Sequence, residues 1–179
     1  MKLSPSSTLL QKASTIRNTV LSANDGVITT FAVVAGANGA NLSSKTVILL
    51  GLANLLADGI SMSSGNYLGM ESENEILGKK ASTNEKASPV KSALVTFSAF
   101  VIAGAIPLFP YIFIEHQEIR FYASLTLVIA TLIGLGFIRG NFSKKHPITT
   151  IFETVLIGGV SAIIAYMIGY WGNIFMNGY

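Results

Sequence analysis

Two aspartates occur within stretches that are otherwise apolar. Asp25 lies in the segment Ala23-Asn24-Asp25-Gly26 and Asp58 in the segment Ala57-Asp58-Gly59. A charge at the centre of a membrane costs about 2.5–3.5 kcal/mol on insertion scales, so such residues usually face the interior of a helix bundle and serve a function. The two carboxylates are therefore the first candidates for chemistry.

The neighbours of Asp58 extend it into a polar stripe. Asn54, Asp58, Met62 and Asn66 recur every four residues, which places them on one face of a helix. Because the chain contains no cysteine, oxygen ligands with one thioether favour a divalent first-row ion such as Fe(II) or Mn(II). A pure oxygen cage would instead favour Mg or Ca. We predict a metal site formed by Asp25, Asp58, Met62 and, as an auxiliary oxygen ligand, Asn54.

The same pair of carboxylates suggests proton exchange. Two carboxylates neutralise a doubly charged cation, and without the cation two desolvated, adjacent carboxyl groups favour binding protons. Metal binding would then release protons. Purely structural roles are the alternative. An aspartate within a membrane can hydrogen-bond a neighbouring helix, and Met62 can fill a gap in the packing.

The elements that must position these residues follow from composition. The chain is 50% hydrophobic and only 12% charged, against a charged share of about 25% in soluble domains. Five apolar stretches approach the length of about 20 residues that crosses a bilayer as a helix. They cover about 20–40, 46–69, 92–114, 121–139 and 153–172. The sequence therefore predicts an all-α integral membrane protein with five transmembrane helices.

The remaining segments are a polar N-terminal region (1–19), a loop (70–91) and a C-terminal tail (173–179). Depth in the membrane can be counted from the turn that joins spans one and two, at about 1.5 Å of helical rise per residue. By this count Asp25 lies about 22 Å and Asp58 about 18 Å from that turn. The two carboxylates are therefore expected at nearly one level of the membrane.

The basic residues indicate the orientation of the chain. Ten of the twelve lie before span one, between spans two and three, or after span four, whereas only Lys45 and Arg120 lie on the opposite side. This asymmetry predicts a cytoplasmic N-terminus and a C-terminus outside. The basic excess therefore reflects topology, and we expect no nucleic-acid partner.

Small residues recur at four-residue intervals. Ala32 and Gly36 belong to such a series on span one, and Gly65 and Gly69 form a GxxxG pair on span two. Small side chains allow membrane helices to approach closely, so these four positions are predicted helix-packing residues.

Two acidic residues follow span two at helical spacing. Glu71 and Glu75 could collect metal ions at a cytoplasmic mouth, on a helical extension of the span. Interleaved with lysines, the segment could equally be a solvated charged loop, which is the interpretation we favour.

The sequence lacks the motifs typical of enzymes. It contains no Ser-His-Asp set, Walker loop, dinucleotide-binding glycine pattern or HExxH motif. We therefore predict no catalytic residues, no enzymatic activity and no bound cofactor.

Two longer blocks carry a resemblance. Residues Ala23 to Gly36 (ANDGVITTFAVVAG) and Ala57 to Leu68 (ADGISMSSGNYL) closely resemble the vacuolar iron transporter family, and the likeness extends over about 15–175. It implies a homodimer whose first spans line a path on the two-fold axis, exporting Fe(II), often Mn(II), from the cytosol in exchange for protons. Asp25 and Met62 correspond to metal-path residues of the family.

The sequence departs from the family at two places. Members with a cytoplasmic metal-binding domain insert a long Glu- and Met-rich segment between spans two and three, where this chain has only residues 70–91. Many members also carry Glu where this chain has Asn66. The resemblance therefore implies a short member without the capture domain.

The short loop favours a bacterial cell membrane over a vacuolar one. A transporter of another cation is a near alternative to Fe(II) or Mn(II) export. From a different class, the chain could be a non-transporting membrane scaffold or assembly protein whose buried aspartates stabilise helix packing.

Overall fold

The computed structural model describes residues 7–77, 88–143 and 145–177, all of whose regular structure is helical. The helices are α1 (Ser7–Gly39), α2 (Ser44–Leu77), α3 (Pro89–Ala105), a 3-10 turn (Ile106–Leu108), α4 (Phe109–Phe113), α5 (Gln117–Ser143) and α6 (Pro147–Asn177). Five segments in this part of the chain are long and apolar enough to cross a membrane, as the sequence predicts. They are Ser14–Gly39, Ser44–Ile76, Pro89–Phe113, Gln117–Ser143 and Pro147–Met176.

The helices are longer than the apolar stretches that predict them. Helix α1 begins at Ser7 rather than near 20, and α2 continues to Leu77 rather than ending near 69. Helix α6 begins at Pro147, because proline is well suited to the first helical position, and it runs into the expected tail. Polar residues thus continue helices beyond the apolar windows by which spans are recognised.

A tight turn joins α1 to α2. Asn41 adopts a left-handed conformation with φ of 56°, which asparagine tolerates better than most residues. The backbone N–H of Leu42 donates to the carbonyl of Ala37 at 2.9 Å, and that of Asn41 donates to Asn38 at 3.0 Å. This is a Schellman arrangement, and it turns the chain so that α2 returns beside α1.

Two prolines bend the third span near its end. Helix α3 gives way to the 3-10 turn containing Pro107, and α4 then continues with Pro110 in its first turn. Ser124 Oγ of α5 donates to the carbonyl of Pro107 at 2.7 Å. The bend therefore follows from the missing proline N–H groups and is held by α5.

Helix α1 is the centre of the bundle and packs against α2, α3, α5 and α6. Its Val27 and Val34 are fully buried, as is Phe100 of α3. A Cβ added to Gly169 of α6 would overlap the backbone of Gly36, so α1 and α6 approach at backbone distance. Helix α1, which carries Asp25, is thus held by close contacts on several sides, whereas α2, which carries Asp58, packs mainly against α3.

Candidate metal site

Helix α3 sets the rotation of both helices that carry the aspartates. A Cβ added to Gly26 of α1 would collide with the backbone carbonyl of Phe100, and one added to Gly59 of α2 would lie 3.2 Å from the ring of Phe97. The Asp-Gly pairs therefore place one glycine of each helix against α3. Asp25 and Asp58, one position earlier, are rotated by about 100° and face away from it.

The two carboxylates occupy one region of the bundle. Asp25 and Asp58 lie close enough for their charges to repel each other. Both side chains are half-buried. Thr29, one turn after Asp25, donates its hydroxyl to the Asp25 backbone carbonyl at 2.9 Å, which leaves the carboxylate oxygens unused by this contact.

The polar stripe of α2 lies along an open edge of the bundle. Asn54, Asp58, Met62 and Asn66 are all half-buried. They lie between a buried ridge that includes Leu55 and Gly59 and an exposed apolar face. Within a membrane, polar side chains on such an edge must meet water, an ion or another protein surface rather than lipid.

Two side-chain amides of the stripe each have a buried atom without a hydrogen-bond partner among the described residues. These atoms are Asn54 Nδ2 and Asn66 Oδ1. An unpaired buried oxygen is costly unless something binds it. Asn66 Oδ1 is therefore an additional candidate ligand. The four-residue spacing identified this position, but the predicted ligand set stopped at Asn54, Asp58 and Met62.

One copy of the chain offers an incomplete metal shell. Asp25, Asp58 and Met62 supply carboxylate and thioether donors, to which the amides add oxygen. Among the residues described, no group of three or more His, Cys, Asp or Glu side chains could hold a metal ion. A six-coordinate ion at these residues would need further ligands from water or from another chain.

The predicted packing residues have different surroundings. A Cβ added to Gly36 would lie 3.2 Å from the carbonyl oxygen of Ala165, so this glycine packs against α6, and Ala32 is half-buried one turn earlier. At Gly65 and Gly69 an added Cβ would meet nothing within 4 Å in the described chain. The GxxxG pair of α2 is therefore open to a partner outside the chain.

The two acidic residues Glu71 and Glu75 belong to α2. Both are exposed on its last turns, so the helix continues into the segment 70–91, which the sequence suggested to be a loop. Tyr67 OH donates to Glu71 Oε1 at 3.5 Å, a long contact. The basic residues Lys79, Lys80 and Lys86 lie outside the described residues.

The fold defines an all-helical membrane protein with five helical segments long and apolar enough to span a bilayer. The chain matches the model of the VIT family over residues 16–87 and 77–170, and it belongs to that family. It is 26% identical over 208 residues to vacuolar iron transporter 1 of Arabidopsis thaliana, covering 84% of this chain and 83% of the relative. Similarity to the vacuolar iron transporter of Centaurea cyanus is 27% identity over 209 residues, covering 85% of each.

A shorter relative matches the length of this chain better. Vacuolar iron transporter homolog 3 of Arabidopsis thaliana is 27% identical over 157 residues, covering 83% of this chain and 78% of the relative. The alignment with vacuolar iron transporter 1 of Arabidopsis thaliana is 208 residues long but covers only 84% of the 179 residues of this chain. More than a quarter of the alignment positions therefore have no residue in this chain. The family match divides at residues 77–87, between α2 and α3.

Proposed function

We propose that the protein exports a divalent transition metal, Fe(II) or Mn(II), from the cytosol in exchange for protons. The observation that carries this proposal is a pair of half-buried aspartates, Asp25 and Asp58, on two spans that fall within the family match. Relatives named vacuolar iron transporter support metal as the cargo.

Each site residue has a distinct role in this mechanism. Asp25 and Asp58 bind the cation and neutralise its charge, and they take up protons when it leaves. Met62 provides a soft sulfur ligand, which favours transition metals over Mg and Ca. Asn66 lies on the cytosolic side of Asp58 along the stripe, where the entering ion passes, and Asn54 lies one turn beyond Asp58 as an auxiliary oxygen ligand.

Transport requires a second copy of the chain in our proposal. Asp25 and the α2 stripe are only half-buried in one chain and would otherwise leave carboxylates against lipid, which is unfavourable. Apposing two copies through the first span would bring four carboxylates to one axis and close the shell that a single chain leaves open. The unpacked Gly65 and Gly69 give α2 room for the same contact.

The charge asymmetry indicates which end of the path faces the cytosol. With the N-terminus and the α2–α3 connection in the cytosol, Glu71 and Glu75 stand at the cytosolic mouth of the path. There they raise the local cation concentration without forming a dedicated capture domain.

The preference for a bacterial cell membrane has no support among the relatives compared, which are named for the vacuole. Export from the cytosol has the same sense in either membrane.

Purified protein reconstituted into liposomes tests transport itself. Fe(II) or Mn(II) is added outside, and uptake is followed with a metal-sensitive dye together with lumenal pH. We expect metal uptake coupled to proton movement in the opposite direction. Absence of flux for every divalent cation tested would favour the scaffold alternative, whereas flux of another ion alone would identify a related transporter of that cation.

A further inference from the structure

A cavity separate from the polar stripe lies between α1, α5 and α6. Its volume is about 480 Å³, within the range of about 300–1,000 Å³ typical of small-ligand sites. Leu21, Leu135 and Phe142 form apolar walls. Leu21 and Phe142 are 57% and 59% exposed, so the cavity opens towards the lipid that surrounds the bundle.

Two arginines line the same cavity. Arg17 extends from α1 and Arg139 from the last turns of α5, at the end of the bundle that carries most basic residues. Arg139 pairs with Glu153 of α6 at 3.2 Å, and Arg17 contacts Asn18 Oδ1 only at 3.3 and 3.4 Å. Each guanidinium has five N–H donors, so donors remain on both. Two arginines and one glutamate leave this end of the cavity with net positive charge.

A polar group lies deeper on the inner wall. Asn24 lines the cavity about two helical turns, or about 10 Å, below Arg17. Its Oδ1 is buried and has no hydrogen-bond partner in the ranges the structure covers. The cavity thus has guanidinium groups at its mouth, an amide below them and apolar walls alongside.

We propose that this cavity binds one anionic phospholipid. The phosphate lies between Arg17 and Arg139, since guanidinium groups match phosphate oxygens in geometry and charge. The glycerol esters lie at the level below, towards Asn24, and an acyl chain follows Leu21 and Leu135. A net positive mouth favours an anionic lipid over a zwitterionic one, as in other basic pockets between membrane helices. Lipid binding here is independent of metal transport.

Native mass spectrometry of the full chain, delipidated in mild detergent, tests this site. Equal concentrations of phosphatidylglycerol or phosphatidylcholine are added to wild type and to Arg17→Gln. A second variant, Arg139→Gln with Glu153→Gln, removes donors without changing net charge. Lys145→Gln is the matched control, because Lys145 is exposed at the same end of the bundle outside the cavity. Gel filtration checks that each variant is folded.

We expect one phosphatidylglycerol molecule per chain to bind in preference to phosphatidylcholine. The preference should fall about fivefold in Arg17→Gln, since a basic residue near a membrane contributes about 1 kcal/mol to binding an anionic lipid. It should fall in the double variant and persist in Lys145→Gln. Equal binding of the two lipids, or an unchanged preference in both arginine variants, would overturn the proposal. If millimolar inorganic phosphate displaces bound phosphatidylglycerol as well as added lipid does, that result would also overturn the proposal, because it would identify a site for free phosphate.

Discussion

Gly26 of α1 lies directly against the backbone carbonyl of Phe100 of α3, with no room for a Cβ between them. This contact fixes how closely the two helices approach and how α1 is rotated. Since Asp25 precedes Gly26, the same contact determines which way the first carboxylate faces. The packing of α1 on α3 and the orientation of Asp25 therefore share one close backbone approach.

Substituting Gly26 by alanine should separate α1 from α3. The added methyl group collides with backbone rather than with a flexible side chain, so we expect Gly26→Ala to destabilise the protein by about 1–3 kcal/mol. Thermal unfolding in detergent measures the change. Gly134→Ala is the matched control, because an added Cβ there meets nothing within 4 Å and alanine favours a helix. Equal unfolding temperatures for the two variants would contradict the close contact.

Single cysteines can locate the proposed dimer contact, since the chain contains none. A cysteine replacing Ala32, on the half-buried face of α1, should form a disulfide-linked dimer when oxidised in membranes. A cysteine replacing Leu127, which is exposed on α5, should not. The products are separated by non-reducing electrophoresis. Cross-linking at Leu127 but not at Ala32 would place the interface elsewhere.

Asn66 offers a test of the stripe beyond the aspartates. If its unpaired Oδ1 binds the passing ion, Asn66→Ala should weaken metal binding about tenfold, equivalent to about 1.4 kcal/mol. Isothermal titration with Mn(II) measures the affinity. Ser61→Ala is the control, since Ser61 is exposed on a neighbouring face of α2. Matching affinities in the two variants would remove Asn66 from the ion path.

The orientation of the chain is tested by labelling from one side of the membrane. His116 lies between spans three and four and Lys145 between spans four and five, and both are exposed. In intact cells or vacuoles, an impermeant thiol reagent should label the two replacement cysteines from opposite faces. A reagent added on the cytosolic side should label the cysteine of Lys145→Cys and leave that of His116→Cys unlabelled. The reverse pattern would invert the topology and the direction of transport.

Much of the membrane architecture could be predicted from the sequence, because apolar length alone identifies a span. The five spans and the shared region of Asp25 and Asp58 follow from such counting. The extension of α6 back to Pro147 does not, since polar residues there lie beyond the apolar window. Hydropathy also could not show that Gly26 and Gly59 both face α3, because a glycine's role in close packing depends on its neighbour in space.

The site was only partly predictable for a similar reason. Four-residue spacing placed Asn66 with Asp58 and Met62, but its unpaired oxygen depends on what surrounds α2. Gly36 and Gly65 fit the same small-residue pattern, yet Gly36 packs against α6 whereas Gly65 has no neighbour within 4 Å in the chain. Periodicity identifies a helix face, and only the packed bundle shows what that face meets.

Proton-coupled metal transport through the two aspartates can be measured in proteoliposomes. Metal flux and lumenal pH are followed together for wild type, Asp25→Asn and Asp58→Asn. Asparagine keeps the size of the side chain but removes its charge and its titratable proton. Glu118→Gln, which removes a carboxylate at the exposed start of α5, serves as the control. We expect coupled metal and proton movement in wild type and Glu118→Gln, and its loss in both aspartate variants. Unchanged coupled flux in Asp25→Asn would contradict this mechanism.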